Sequence, residues 1–411
     1  IHKTIASVYF HRGSRGEAPV PEDIVMALRE YDIAIKLEPE DADLFYRSGM
    51  VIAHAAEQGI QVRIGTGMVD ATMEQAVERW ISCLAVDDTY VAAHLDLAAH
   101  YATVERHDDA LAHYQRAIEL RPEDLDLRLL LADYYWQQGR RAEAYAVFEE
   151  AYELAPEQVP VVHGLQRLSL ELAAFQRGVD WGELLLRMDR DHMPGRTNQA
   201  ELLLGAGEHS RAVHMAESVV REAREPALQL RARIAEALAW WHLDRPREVV
   251  ETVADTPVEQ LGPELRLAYG WSLSAQEERS GLVNVARAAL EDDPESIAGK
   301  ELMAWALYLA GDFSGAAGIL RELEIAAPVR AYRLGMALFQ QGPAKYQEAQ
   351  KLLQLAYDEL RSDLEILRYA RREARGALSD IRRWQRDEQR RIEREKRAAE
   401  RKAREEARQG E

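Results

Sequence analysis

Residues 97–122, LAAHYATVERHDDALAHYQRAIELRP, return in altered form at residues 131–156, LADYYWQQGRRAEAYAVFEEAYELAP. Corresponding positions lie 34 residues apart, and the order of large, small and proline residues is kept. The recurring pairs are Tyr101 and Tyr135, Ala110 and Ala144, Ala117 and Ala151, and Pro122 and Pro156. Small residues let two helices cross closely, while large residues fill the space towards the next pair. The pattern therefore predicts one antiparallel helical hairpin in each segment.

This pattern resembles the tetratricopeptide repeat, a helix–turn–helix unit that stacks into a solenoid. The resemblance implies an all-α, right-handed superhelical solenoid of helical hairpins, and strong helix formers near the end predict an extended C-terminal helix. In the family, the first helices of successive units line a concave groove that grips a partner's peptide or helix. We therefore predict a non-catalytic protein–protein interaction scaffold or adaptor in a larger bacterial assembly.

The repeat register extends in both directions from the clean pair, and nine or ten hairpins fit the chain. Residues 157–194 are the least regular, because Gly178, Gly182 and Pro194 stand where helix formers are expected. We predict four segments: an N-terminal array with two turn insertions (1–156), a degenerate array (157–357), a capping helix (358–384) and a charged helical tail (385–411).

Charge is distributed unevenly along the 411 residues. The chain carries 52 basic and 71 acidic residues, a net charge of −19. Residues 371–411 hold 15 basic and 10 acidic residues, so residues 1–370 carry 37 − 61 = −24. An acidic body repels phosphates, which disfavours nucleic-acid binding except through the tail.

The sequence sets few limits on the compartment. No stretch approaches the ~20 consecutive apolar residues that a membrane span needs. The chain begins at Ile1 without an initiator Met, which leaves room for a preceding signal peptide, membrane anchor or tag. We expect a cytoplasmic location, with a periplasmic or membrane-anchored one left open. Only seven of the 52 basic residues are Lys, a preference typical of GC-rich bacterial genomes.

Groove-facing residues follow from the resemblance, position by position. They are Tyr46, Met50, His54, Leu95, Ala99, Asp133, Trp136, Gln137, His163 and Arg167. The family's carboxylate clamp needs Lys, Asn and Arg where Leu95, Ala99 and Asp133 stand, so a chaperone-tail adaptor is disfavoured. Tyr46 and Trp136 suit anchors for an apolar or helical ligand. Alternatively, both pack against neighbouring hairpins of this chain.

Two insertions lengthen consecutive hairpins at the same structural place. About nine extra residues lie around 11–20 and about fifteen around 59–72, by comparison with the regular period. We expect both on one edge of the solenoid, where they form a secondary contact patch or neutral Gly-rich loops. The residues of this secondary patch are Arg12, Arg15, Arg63 and Met68.

Signatures of catalysis are scarce in this sequence. The acids of His107-Asp108-Asp109 suit the start of a helix, and the chain lacks a Ser-centred elbow, an HExxH motif and a Cys pair. Cys83, the single cysteine, matches Ala117 in the repeat and suits a helix crossing. We therefore expect no enzyme activity, no cofactor and no metal.

The charged tail leaves several functions open. It suits a solvated helix, a hook for anionic lipid or nucleic acid, or a docking helix for another subunit. Its acids are interleaved with its bases, which weakens the interpretation as a polyanion hook. The alternatives to a groove-binding scaffold are thus a nucleic-acid or membrane-surface regulator that uses the tail, and a self-assembling structural subunit.

Overall fold

A computed structural model describes residues 1–14, 20–64, 67–323, 328–360 and 365–409, in two compact units, Ile1–Leu172 and Ala173–Glu411. Over these residues the secondary structure comprises 21 α-helices, two short 3-10 turns and one pair of β-strands. The predicted all-α helical-repeat class is confirmed. The two units divide inside the irregular segment 157–194.

Unit 1 is built from consecutive antiparallel hairpins. Its helices are α1 (His2–Gly13), α2 (Pro21–Leu37), α3 (Ala42–Glu57), α4 (Met73–Val86), α5 (Val91–Thr103), α6 (His107–Leu120), α7 (Leu125–Gln137), α8 (Arg141–Leu154) and α9 (Val159–Glu171). Each helix packs most extensively on its neighbours in sequence. The hairpins therefore stack in the order of the chain.

Small residues sit at the helix crossings, as the repeat pattern predicts. Ala110, Ala117, Ala144 and Ala151 are completely buried. At Gly164 on α9, an added Cβ would lie only 2.5 Å from the Phe148 ring on α8. The close approach of these two helices therefore depends on a residue without a side chain.

The turn inside each hairpin repeats a left-handed backbone conformation. Four turn residues have a positive φ: Glu105 (60°), Gly139 (73°), Ala173 (53°) and Gly207 (79°). Successive residues of this set lie 34 positions apart. Two of the four are not glycine, although this conformation carries a steric cost for residues with a Cβ. The turn geometry therefore keeps the period even where the residue type has changed.

The second insertion differs from the expected loop. Gln61–Ile64 (β1) and Gly67–Asp70 (β2) form an antiparallel pair in which Arg63 lies opposite Met68. Val62 on β1 is completely buried, and β1 contacts α2. A two-residue alternation of β-branched side chains at Val62 and Ile64 favours a strand, a signal that the surrounding glycines obscured.

Unit 2 continues the hairpins and ends in one long helix. Its helices are α10 (Phe175–Met188), α11 (Met193–Gly205), α12 (His209–Glu222), α13 (Pro226–His242), α14 (Pro246–Val253), α15 (Pro263–Ala275), α16 (Arg279–Asp292), α17 (Ile297–Leu309), α18 (Phe313–Glu322), α19 (Pro328–Gln340), α20 (Tyr346–Glu359) and α21 (Glu365–Gln409). Several begin with proline, which suits the first helical position because proline has no N–H to satisfy.

The long helix α21 has two parts with different surroundings. Its first part packs on α19 and α20 through buried residues such as Ala374, Leu378 and Ile381. Trp384 meets Tyr346 edge to face, with ring centroids 5.4 Å apart. Beyond Arg386 almost every described side chain is exposed. The helix therefore covers the end of unit 2 and then runs on into solvent.

Candidate protein-interaction site

Two adjoining cavities open between the first helices of consecutive hairpins in unit 1. The first, about 490 Å³, lies between α1 and α3 and is lined by residues such as Val8 and Tyr46. The second, about 420 Å³, lies among α3, α4 and α5. Phe10 and Met50 line both cavities, so the two form one groove. We call this surface the α1–α3–α5 groove.

Three predicted contact residues lie together in this groove. Tyr46, Met50 and His54 are spaced four residues apart on α3 and therefore share one face of the helix. The Tyr46 ring packs on Tyr90 with centroids 4.9 Å apart. His54 meets the edge of Phe10 at 5.7 Å, while Met50 between them is 37% exposed. This face of α3 thus combines the Tyr46 ring, which packs on Tyr90, with the exposed thioether of Met50 and the half-buried imidazole of His54.

The second cavity also contains buried polar atoms that lack a partner. His54 Nε2, Trp80 Nε1 and Asp96 Oδ2 have no hydrogen-bond partner in the described part of the chain, and all three residues line this cavity. Leaving such an atom unsatisfied costs about 1–3 kcal/mol. A ligand with its own donors and acceptors, such as a peptide backbone, could satisfy these atoms.

Burial shapes the electrostatics of the same cavity. Desolvation raises the pKa of Asp96, and a hydrogen bond from Tyr46 opposes that rise. Burial, followed by the charge of Asp96, raises the pKa of Tyr46. Tyr46 therefore stays protonated and acts as a donor, while the Asp96 carboxylate is a poorly solvated acceptor.

The predicted residues on α7 and α9 lie away from the lining of these two cavities. Trp136 is covered by Arg167, whose guanidinium carbon lies 3.5 Å from the ring centroid. The Trp136 indole N–H donates to Glu171 at 3.0 Å, and Arg141 also pairs with Glu171 at 2.9 Å. The structure therefore places Trp136 in contacts within its own chain.

Of the remaining predicted groove residues, Leu95 and Ala99 lie on α5, where Ala99 lines the second cavity, and the others lie on α7 and α9. Asp133 and Gln137 are exposed on α7, and His163 is half-buried on α9. Partial desolvation raises the pKa of Asp133, while the charge of Arg167 opposes that rise. Their role in binding stays a prediction.

The predicted secondary patch has mixed surroundings. Arg12 pairs with Asp23 and lies 5.1 Å from the Tyr9 ring centroid. Arg15 falls outside the described residues, and Arg63 is described only through its backbone in β1. Met68 on β2 is 49% exposed. Of these four residues, Met68 presents the clearest apolar contact surface.

Trp80 and Asp96 belong to the cavity but not to the predicted contact set. Trp80 occupies the repeat position of Tyr114 and Phe148, which the period marks as core, and it is only 4% exposed. Asp96 interrupts the apolar run AAHLDLAAH, and this isolated acid is the sequence feature that could have indicated Asp96 as a site residue. Sequence spacing places both residues on helices but does not show that their polar atoms go unpaired.

Across the described residues, no group of three or more His, Cys, Asp or Glu side chains is placed to hold a metal ion. In the same part of the chain, no helix is both long and apolar enough to cross a membrane. His94 and His113 do approach each other, with their Nδ1 atoms 2.8 Å apart, but they form a pair.

Comparison with known families identifies the repeat. A family model described as tetratricopeptide repeat matches residues 101–169, which run from α5 to α9. Residues 101–169 therefore belong to the tetratricopeptide repeat family. Tetratricopeptide repeats are generally non-catalytic modules that serve as protein–protein interaction scaffolds. A search of curated protein sequences finds no match.

Solved structures that resemble this chain share little sequence identity with it. YrrB, a tetratricopeptide repeat protein with an unusual peptide-binding site, is 15% identical, covers 49% of this chain and 97% of its own, and has a TM-score of 0.40. PilF of Pseudomonas aeruginosa is 17% identical, with 65% and 98% covered and a TM-score of 0.37. Yeast Tom70 is 13% identical, with 93% and 96% covered and a TM-score of 0.33.

Proposed function

We propose that this tetratricopeptide repeat protein is a non-catalytic adaptor that binds a peptide or helix of a protein partner in the α1–α3–α5 groove. One observation carries the proposal: three consecutive first helices form a continuous groove that contains three buried, unpaired polar atoms. Most buried polar atoms in proteins are paired, so unpaired ones are an exception. Their presence in an open groove favours a site that is completed by a ligand.

The lining of the groove suits a peptide better than a small metabolite. Tyr46, Phe10 and Met50 supply apolar area, which aromatic and thioether side chains provide at interfaces. The acceptor at Asp96 and the indole donor at Trp80 lie in the second cavity. A peptide offers N–H and C=O groups beside an apolar side chain, so one segment could satisfy both requirements.

The proposal also covers the setting of the protein. The preference for Arg over Lys supports a bacterial source. An adaptor in a larger assembly needs a binding surface rather than a reaction centre, and the groove supplies such a surface. A cytoplasmic location stays a prediction.

Site-specific photo-crosslinking in the native organism tests the proposal. A photo-activatable phenylalanine analogue at position 50 is expected to capture a defined protein partner. The same analogue at Ile81, which is 49% exposed on the second helix α4, is expected to miss that partner. Equal capture at both positions would show that the groove is not the contact.

A matched pair of substitutions sharpens the experiment. Ala99→Arg places a long side chain in the second cavity from an exposed position, so capture at position 50 should fall at least tenfold. Ala112→Arg adds the same side chain to an exposed position on α6 and should leave capture unchanged. If Ala99→Arg has no effect while the protein stays folded, the groove proposal fails.

A further inference from the structure

The solvent-exposed part of α21 carries a straight row of arginines. Five arginines on this part of the helix are exposed: Arg383, Arg390, Arg394, Arg397 and Arg401. The first two are seven residues apart, and the others follow at alternating steps of four and three residues. Such spacing puts them on one face of a helix. In the sequence Arg404 and Arg408 continue the same spacing. We call this set of residues the arginine row.

The charges of this row are weakly compensated within the helix. Arg383, Arg390 and Arg397 have acidic neighbours at 3.7, 3.8 and 3.9 Å, and their side chains are 69–76% exposed. Arg391, which lies off the row, is held by Glu388 and by Glu395 at 2.5 and 2.9 Å. The interleaved acids therefore neutralise Arg391 and leave the row available.

A complementary row of acids lies on one edge of unit 1. Glu40, Glu123 and Glu157 each follow the proline that ends a hairpin, and Asp88 takes the place of that proline in the remaining junction. All four residues are exposed. In the described structure Glu40, Glu123 and Glu157 form no ion pair, and Asp88 has a single contact to Arg116 at 3.4 Å. We call this surface the acidic edge.

The two surfaces match in sign, and the arginine row is long enough to cover the acidic edge. From Arg383 to Arg408 the helix is roughly 37 Å long at about 1.5 Å per residue. Each hairpin advances a stack by about one helix spacing, roughly 8–10 Å, so the three steps between the four junctions span roughly 24–30 Å, which lies within the length of the arginine row. Residues 1–370 carry a net charge of −24, which favours an acidic protein surface over a nucleic acid as the occupant of the arginine row.

We propose that the arginine row of one copy of this chain docks on the acidic edge of a second copy. Two copies can exchange their tails reciprocally, so that each acidic edge receives the other chain's α21 and the interface closes. The contact is electrostatic and exposed to solvent, so salt weakens it. The proposal depends on α21 and the acidic edge, and it is independent of the α1–α3–α5 groove.

Sedimentation equilibrium of the full chain tests the proposal. In 50 mM NaCl we expect a dimer, and in 500 mM NaCl a dissociation constant at least tenfold weaker. Reversal of the row in the R390E/R397E variant should weaken dimerisation at least tenfold in 50 mM NaCl. The control R391E/K396E makes the same change in net charge off the row and should change the constant less than threefold. Circular dichroism checks that α21 stays helical in both variants.

A charge exchange identifies the partner surface. By itself the variant E123R/E157R should dimerise at least tenfold more weakly, because its arginine row meets arginines on the acidic edge. In a mixture of the two variants, both tail–edge contacts become complementary again, so association should return to within threefold of the original. A mixture that stays monomeric while both variants are folded would overturn the proposal, as would equal weakening by the control.

A direct test for nucleic acid completes the experiment. If the chain is monomeric in 50 mM NaCl and instead binds a 30-base-pair DNA duplex through the arginine row, the row serves a polyanion and the proposal is wrong. We expect the wild-type dimer to bind that duplex at least tenfold more weakly than it binds itself.

Discussion

The first helices of unit 1 and unit 2 present their inner faces differently. In unit 1 the residues on α1, α3 and α5 line open cavities, and Met50 and Val8 are exposed to solvent. On α17 and α19 of unit 2 the equivalent surface is closed, since Trp305 and Tyr332 are only 8% and 3% exposed. The same hairpin therefore produces either a groove or a core, depending on what covers it.

The covering element in unit 2 is α21 of the same chain. It packs on α19 and α20, and its Arg368 lies 3.9 Å from Asp244 in the turn that follows α13. Burial, followed by the charge of Glu373 on α21, raises the pKa of Tyr332. A helix from the chain itself thus occupies the position that a partner segment would take in unit 1.

The closed surface of unit 2 also contains a charge. Arg333 is completely buried, lies 3.7 Å from the Trp271 ring centroid, and donates from Nη1 to the Glu301 carbonyl at 3.2 Å. Burial lowers the pKa of Arg333 to about 10. Stacking on tryptophan partly offsets the loss of water around a guanidinium. Arg333 Nε and Nη2 have no hydrogen-bond partner in the described part of the chain, so the Trp271 ring is a main contact of this buried guanidinium.

The largest effect is expected where α21 covers unit 2. Ile381 is completely buried, so Ile381→Ala should lower the free energy of unfolding by about 2–5 kcal/mol, because it leaves a cavity in a packed core. Urea unfolding measures the loss. Hydrogen exchange should accelerate in α19 and α20 while α1–α5 stay protected.

A matched control lies on the same helix face three turns further on. Ile392 is 54% exposed, so Ile392→Ala should change the free energy of unfolding by less than about 0.5 kcal/mol. Equal losses at both positions would mean that α21 packs along its whole length, and the contrast between its two parts would disappear.

A smaller effect, of opposite sign, is expected in the open groove of unit 1. Desolvation raises the pKa of Asp96, so the free energy of unfolding falls as the pH rises from the ordinary carboxyl pKa through the raised folded-state pKa. Asp96→Asn should therefore raise the free energy of unfolding by about 1 kcal/mol at pH 7, near the low end of the cost of a buried unpaired polar atom.

The pH dependence of this gain provides the check. At pH 3 the carboxyl group is largely protonated in the folded and unfolded chains, so urea unfolding should show almost no gain. Glu150→Gln, at an exposed site on α8 without an ion pair in the described structure, should stay within about 0.5 kcal/mol at both pH values. A loss of stability at pH 7 would show that Asp96 is a structural residue and not a retained binding group.

The smallest effect is expected from histidine pairs, one in each unit. Burial, followed by the neighbouring His94, lowers the pKa of His113, and burial followed by His242 lowers that of His209. A lowered folded-state pKa leaves stability complete above the ordinary histidine pKa and removes it as the pH falls through that value. Each group can remove at most about 1.4 kcal/mol per pH unit.

Hydrogen exchange at pH 7.5 and 5.5 measures this effect unit by unit. After correction for the slower intrinsic exchange at low pH, we expect smaller protection factors at pH 5.5 in α5 and α6 and also in α12 and α13. His113→Asn should reduce the acid effect in α5 and α6 and leave that in α12 and α13 unchanged. An acid response in only one unit would reveal a further difference between the two.

Much of the fold could be predicted because the relevant contacts are local. Ala110 and Ala117 pack within a hairpin, so the 34-residue spacing alone located the crossings. The strand pair β1–β2 was missed because two glycines and short length masked a two-residue alternation. The site was only partly predictable: Tyr46, Met50 and His54 share a helix face, whereas the cover that Arg167 provides for Trp136 comes from another hairpin.

The sequence by itself determined the repeating unit of this protein, since the size and order of side chains within 34 residues decide which helices pair and where they cross. Only the tertiary structure decided which inner face stays open. Arg368 and Asp244 meet although many hairpin helices separate them in the chain, and no short-range period records such a contact. Whether an inner helix face is accessible depends on which distant segments of the chain pack on it. The unpaired atoms of Trp80 and Asp96 therefore become apparent only in the folded structure.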